Sequence, residues 1–152
     1  MANAPVTTFE RFAVSPLTPR IGAEIQGIDL RQDLSDETIA EIRKALLTYK
    51  VIFFRDQDIT PEQHIAFGRR FGDLEIHPIT PKDQPNPEIF HLKASTIMSP
   101  TGETRRSGAD LWHSDVTWRE HPSLGSILRG RTIPEVGGDT MFADMVAAYE
   151  GL

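Results

Sequence analysis

Four consecutive apolar residues, Val51-Ile52-Phe53-Phe54, stand between two segments that read as capped helices, and this arrangement restricts the fold more than any other feature of the chain. A run so short, wholly apolar and partly β-branched suits a strand buried on both faces, which calls for covering material on each side of a sheet. The preceding segment supplies one cover. Ser35 reads as an N-cap, Asp36 and Glu37 sit in the first turn against the positive helix end, and Leu34 is placed to staple onto Ile39. Ile39, Ile42, Leu46 and Tyr49 then follow at spacings of three, four and three, one apolar face of a helix running to about Lys50. The next helix opens at Thr60-Pro61-Glu62-Gln63, where Thr caps, Pro takes the first helical position and Gln completes a capping box. Phe67 and Phe71 share a face of it, and Gly72 is expected to end it as a left-handed cap.

The second half reads differently. Prolines and polar residues make a loop of Glu75 to Pro87, Ile89 to Leu92 reads as a strand, and a polar loop from Lys93 to Asp110 contains Ser99-Pro100-Thr101-Gly102. Leu111 to Trp118, Leu124 to Arg129 and Thr140 to Ala143 then read as three strands, separated by His121-Pro122-Ser123 and by Pro134 with Gly137-Gly138. Asp144 is placed to cap a short helix through Met145, Val146 and Tyr149. With 11 Pro and 11 Gly marking chain reversals and no internal repeat, this half suits a β-sandwich or barrel. An amphipathic turn with no element after it suggests a chain incomplete at its C-terminus.

Several functional classes are disfavoured. There is no cysteine, so disulfides and thiolate metal sites are excluded. The net charge is -6, and no Lys/Arg block is longer than pairs such as Arg69-Arg70 and Arg105-Arg106, which argues against nucleic-acid binding. No run approaches the roughly 18 apolar residues of a membrane span, and the start lacks a basic region followed by an apolar stretch, so a cytoplasmic protein is expected. At 152 residues a single domain over 1–152 is expected, with a homo-oligomer among the allowed states.

His113 and Asp115, in Leu111-Trp112-His113-Ser114-Asp115-Val116-Thr117-Trp118, form the one His-x-acid pair in the chain. On a strand, residues two apart point to the same face, so imidazole and carboxylate can share one metal ion. Composition alone yields about 0.7 such pairs by chance, and a solvated strand-end histidine is the ordinary alternative. Around the pair, Arg129 and Pro134-Glu135-Val136-Gly137-Gly138-Asp139-Thr140 follow in order. Upstream stand Ile21-Gly22-Ala23-Glu24-Ile25, Gly27-Ile28-Asp29-Leu30, Val51-Ile52-Phe53-Phe54-Arg55-Asp56-Gln57, Arg70-Phe71-Gly72 and Ile76-His77-Pro78. This ordered set resembles the TauD/TfdA family, the taurine dioxygenase-like enzymes, over nearly the whole chain.

The resemblance implies an α+β fold: a double-stranded β-helix, a jelly-roll-like core with flanking helices. It implies a non-haem dioxygenase dependent on Fe(II), 2-oxoglutarate and O2, with His113 and Asp115 as two of three metal ligands. Thr140 matches the position whose hydroxyl helps hold the 2-oxoglutarate carboxylate, the alternative being an ordinary strand threonine. His77 matches a contact to the substrate's sulfonate, and Thr80 stands where taurine-type members carry Tyr, which argues against taurine itself. Val116 and Trp118 follow the metal pair in phase and are candidates for the substrate pocket wall, or for core. Arg105 and Arg106 can pair with an anionic substrate or lie solvated, and Ala109 stands near a position that is Asn in the taurine group. The expected partner is a small anionic organic molecule: a sulfonate, an alkyl sulfate or an aryloxyalkanoate.

The family's second histidine ligand and its 2-oxoglutarate-clamping arginine lie downstream of anything in this sequence, so the 152-residue chain by itself is expected to be inactive. His121, beside Pro122 in a turn, and His64, on a helix, are not read as substitutes. A non-catalytic β domain that binds an anion or a partner chain is the alternative. A metal-dependent hydrolase ranks last, because no His-Glu-x-x-His helix or paired carboxylate cluster appears.

Overall fold

The structure is a computed structural model that describes residues 8–78, 80–81, 83–92, 97–98, 104–105 and 111–152. Its contacts divide into two units, Met1–Gly72 with Thr132–Leu152, and Asp73–Arg131.

The first unit is built on a three-stranded sheet in the order β1-β2-β3, comprising β1 (Ala13–Pro16), β2 (Ala23–Gln26) and β3 (Ile52–Phe54). β1 and β2 are antiparallel, with Ala13 opposite Gln26 and Pro16 opposite Ala23. β2 and β3 are parallel, Ala23 facing Ile52 and Ile25 facing Phe54. A parallel pair needs a crossover, and α1 (Asp36–Tyr49) provides it. The amide of Thr38 donates to the Ser35 side chain at the helix start, and at its end Lys50, at φ 64°, donates its amide to the Leu46 carbonyl. Ile39, Ile42 and Ala45 are buried, and Ile42 is 0% exposed. They join Phe12, Ile25, Leu30, Ile59 and Phe67 in one core, against which Leu34, Tyr49, Ile52, Phe54 and Phe71 pack.

Of the apolar run Val51–Phe54, Ile52–Phe54 is a strand, but it lies at the edge of the described sheet and is half-buried instead of enclosed on both faces. Adjacent side chains on a strand face opposite ways. Phe54 meets Phe67 edge-on at 5.9 Å, whereas Phe53 meets Phe142 at 6.1 Å and carries the Arg55 guanidinium over its ring.

α2 (Pro61–Arg69) begins with the expected capping box: the Gln63 amide donates to Thr60 Oγ1 at 3.2 Å and the Thr60 amide donates to Gln63 Oε1 at 2.8 Å. Its end differs from expectation. Arg70, in right-handed helical conformation, closes it, with amide bonds from Arg70 to Phe67 and from Phe71 to Gly68, while Gly72 lies beyond at φ 147°. The reason is Arg70 itself, whose guanidinium donates to the Leu34 carbonyl at 2.7 Å and to Asp36 Oδ1 at 2.6 Å. The last turn of α2 is thereby tied to the first turn of α1. Gln57 ties the loop before α1 to the one after β3: it accepts from the Leu30 amide at 2.8 Å and donates to the Ile28 and Arg55 carbonyls.

The expected strands over 111–118, 124–129, 140–143 and 89–92 carry no ladder among the described residues. A strand is sustained only by a neighbour that takes up its backbone N–H and C=O groups, and none is paired with these segments. Leu111, Trp112, Leu124, Leu128 and Met141 are accordingly exposed. Within the stretch read as a polar loop, β4 (Ile97–Met98) and β5 (Thr104–Arg105) form an antiparallel pair. Ser99-Pro100-Thr101-Gly102, Arg106 and Ala109 lie outside the described residues. The short α3 (Met145–Glu150) is capped by Asp144, whose Oδ1 accepts from the Val146 and Ala147 amides, both at 3.1 Å. No helix among the described residues is long and apolar enough to cross a membrane.

Two outcomes follow from this packing. Ile42→Ala should destabilise the first unit by about 2–5 kcal/mol, read from the urea unfolding midpoint at constant slope. The Arg31 side chain donates two bonds of 2.9 Å to Asp29 and its amide a third, and these hold the Asp29 carboxyl at about 2, below the ordinary 3.8. A depressed carboxylate stabilises the fold fully above the unfolded value, and that contribution is lost as pH falls from about 4 through about 2. Arg31→Ala should return Asp29 toward its ordinary value, followed by the carboxyl 13C shift against pH.

Candidate metal centre

His113 and Asp115 belong to the second unit. They do not share a strand face: 112–114 is irregular and Asp115 opens a turn over 115–118. The residue after Asp115, Val116, has φ 46°, a left-handed conformation that a β-branched side chain rarely adopts. This turn breaks the period of two, yet it still brings the two side chains together, with His113 Nε2 3.4 Å from Asp115 Oδ1.

Each group is oriented by a second contact. His113 Nδ1 lies 2.7 Å from the Leu111 carbonyl oxygen. A carbonyl can only accept, so Nδ1 carries the proton and the lone pair of the neutral ring is at Nε2. Asp115 Oδ2 accepts a hydrogen bond from Ser126 Oγ at 2.9 Å, leaving Oδ1 turned toward the imidazole. With the ring neutral both atoms are acceptors and their 3.4 Å separation leaves a place for a cation between them, whereas a protonated ring makes the same contact a direct imidazolium–carboxylate pair. Donors each about 2.1 Å from one ion and roughly at right angles are about 3 Å apart, so the pair fits two adjacent positions around a metal. Both side chains are open to solvent, His113 at 53% and Asp115 at 61%. Among the described residues no group of three or more His, Cys, Asp or Glu converges.

His77 and Thr80 come together in one turn, the Thr80 amide donating to the His77 carbonyl at 2.8 Å. The half-buried His77 ring stacks on Phe90 with centroids 4.7 Å apart. Thr80 is 6% exposed, and its hydroxyl has no hydrogen-bond partner among the described residues. Because 115–118 is a turn, Val116 and Trp118 are not in phase with the pair. Val116 is half-buried, and Trp118, 72% exposed, lies under the Arg119 guanidinium at 5.0 Å. Arg119 in turn forms an ion pair with Glu75.

Thr140 belongs to the first unit, in an exposed segment without a ladder. Gly137 and Gly138 precede it at φ 78° and 74°, and a Cβ on Gly138 would stand 3.2 Å from the Pro134 ring, so glycine is required there on both counts. Sequence reasoning missed Ser126, Phe90 and the Glu75–Arg119 pair. Each acts across a turn or loop that leaves no periodic signal.

Comparison with known proteins agrees with the ordered motifs. The chain is 38% identical over 97% of its length to an alkylsulfatase of Acinetobacter baylyi, covering 45% of that protein. It is 35% identical over its full length to an alpha-ketoglutarate-dependent sulfate ester dioxygenase of Pseudomonas putida, covering 49% of it. A crystal structure described as a candidate alpha-ketoglutarate-dependent taurine dioxygenase from Burkholderia xenovorans superposes with a TM-score of 0.77 at 44% identity, over 93% of this chain and 48% of that one. The chain thus spans about half the length of the relatives it matches. Residues 13–152 match the family described as taurine catabolism dioxygenase TauD, TfdA family, and the chain belongs to that family.

Proposed function

We propose that this chain is part of a dioxygenase that hydroxylates a small anionic organic substrate with Fe(II), 2-oxoglutarate and O2. The observation that carries the reading is the convergence of His113 Nε2 and Asp115 Oδ1, two lone-pair donors oriented by separate contacts toward one point. In the whole protein they are two of three iron ligands, and residues 1–152 are the first part of a single domain with a double-stranded β-helix core. Iron with 2-oxoglutarate and O2 supplies the oxidising power: one oxygen atom enters a substrate C–H bond, the other enters succinate, and CO2 leaves.

The remaining roles belong to the protein's own side chains. Thr140 donates its hydroxyl proton to a carboxylate oxygen of 2-oxoglutarate. His77, held flat against Phe90, donates to the anionic end of the substrate. Thr80 is short and buried beside it, so it leaves the space that a larger residue would fill and makes no contact to a distant anion. The relatives' names span sulfate esters, sulfonates and phenoxyalkanoates, which supports this substrate class.

In a protein carrying this chain at the length of its relatives, His113→Ala or Asp115→Ala should abolish both iron content and substrate-dependent succinate formation while the circular dichroism spectrum persists. Retained iron-dependent turnover in either variant contradicts the assignment. Across a panel of alkyl sulfates, aryloxyalkanoates and sulfonates, taurine should rank below the best substrate by about 10- to 150-fold in kcat/KM. That range matches the roughly 1.5–3 kcal/mol of a missing hydrogen bond to a charged group. Taurine as the best substrate refutes it.

A further inference from the structure

We infer that Ser126 is a positioning residue for the metal centre: its hydroxyl holds Oδ2 of Asp115, so that the carboxylate offers the metal one oxygen, Oδ1, beside His113. The inference rests on the reading that His113 and Asp115 hold iron. A carboxylate can bind an ion through one oxygen or both, and by rotating it can present either. Asp115 is free to do so unless something restrains it, because its side chain is 61% exposed. The restraint present is the 2.9 Å bond from Ser126 Oγ to Oδ2. Oδ2 is thereby occupied, and Oδ1 is left 3.4 Å from His113 Nε2.

The two ligands are restrained in complementary ways. The Leu111 carbonyl fixes which imidazole nitrogen has the lone pair, and Ser126 fixes which carboxylate oxygen is available. One-oxygen coordination matters here because each additional position taken by Asp115 is one fewer for cosubstrate and O2. The Ser126 bond also closes the loop from Asp115 to Ser126 over the turn in which Val116 has φ 46°. That uncommon conformation is held on its other side by the Arg119 amide, which donates to the Val116 carbonyl at 3.1 Å.

The test uses Co(II) as the probe, which this kind of nitrogen and oxygen site binds more tightly than Fe(II). A protein carrying this chain at the length of its relatives, and its variants, are titrated by calorimetry, with folding checked by circular dichroism. Ser126→Ala should weaken Co(II) binding by about tenfold, as loss of a group that orients a ligand does, and Ser126→Thr, which keeps the hydroxyl, should restore it. Asp115→Asn and His113→Ala should remove binding. Unchanged affinity in Ser126→Ala, or no recovery in a folded Ser126→Thr, overturns the role of Ser126 while leaving the metal pair standing. A wild-type protein of that length that takes up no Co(II), or binding that survives Asp115→Asn and His113→Ala, overturns the metal reading and the inference with it.

Discussion

Pairing of β2 on both its edges is the constraint from which the first unit follows. Its antiparallel neighbour β1 is reached by a short reversal, but its parallel neighbour β3 is reached only by carrying the chain back along the sheet, which is the task of α1. Once α1 lies there, Ile39, Ile42 and Ala45 are committed to the core, and Phe67 of α2 closes it from the other side of Ile59 in sequence. The polar ties then fix the loops that no ladder restrains. Gln57 bonds backbone on both sides of the crossover, and Arg70 joins the end of one helix to the start of the other.

What was legible in the sequence was local. Ser35, Thr60, Gln63 and Asp144 announce helix starts through bonds to amides two or three residues away, and all four make those bonds. The end of α2 was misread at Gly72 because Arg70 is held by partners more than thirty residues away in sequence. The strands of the second half were misread for a related reason. Alternation in 111–118 reports a preference for extended chain, but a ladder needs a second segment in register, and among the described residues there only the pair of Ile97–Met98 with Thr104–Arg105 has one. At the candidate centre, His113 and Asp115 were visible as a motif, whereas Ser126 was an unremarked serine between Gly125 and Ile127.

The geometry of the centre differs in kind from the one that strand periodicity suggests. On a strand, residues two apart are separated by roughly 6.6 Å along the chain, and the side chains must lean together to share an ion. In the turn that Asp115 opens, the backbone itself curves, and the donor atoms approach to 3.4 Å without a ladder beneath them. The restraint a sheet would supply comes instead from a carbonyl and a hydroxyl. Both side chains stay open to solvent, and elsewhere in the same unit the His77 ring is stacked on Phe90.

The crossover also bears on how the chain finds this fold. Joining Ala23 to Ile52 closes a loop that contains all of α1, and a flexible loop loses entropy in proportion to the logarithm of its length. A fourteen-residue helix is a rod of about 21 Å with its own capping and i-to-i+4 bonds, and such local bonds form and break in well under a millisecond. Formed first, it replaces most of the floppy segment by one stiff link, so the search for the parallel pairing is reduced to the orientation of a rod between two short tethers. A helix present early would in this way lower the entropic cost of closing the loop on which the parallel pairing depends.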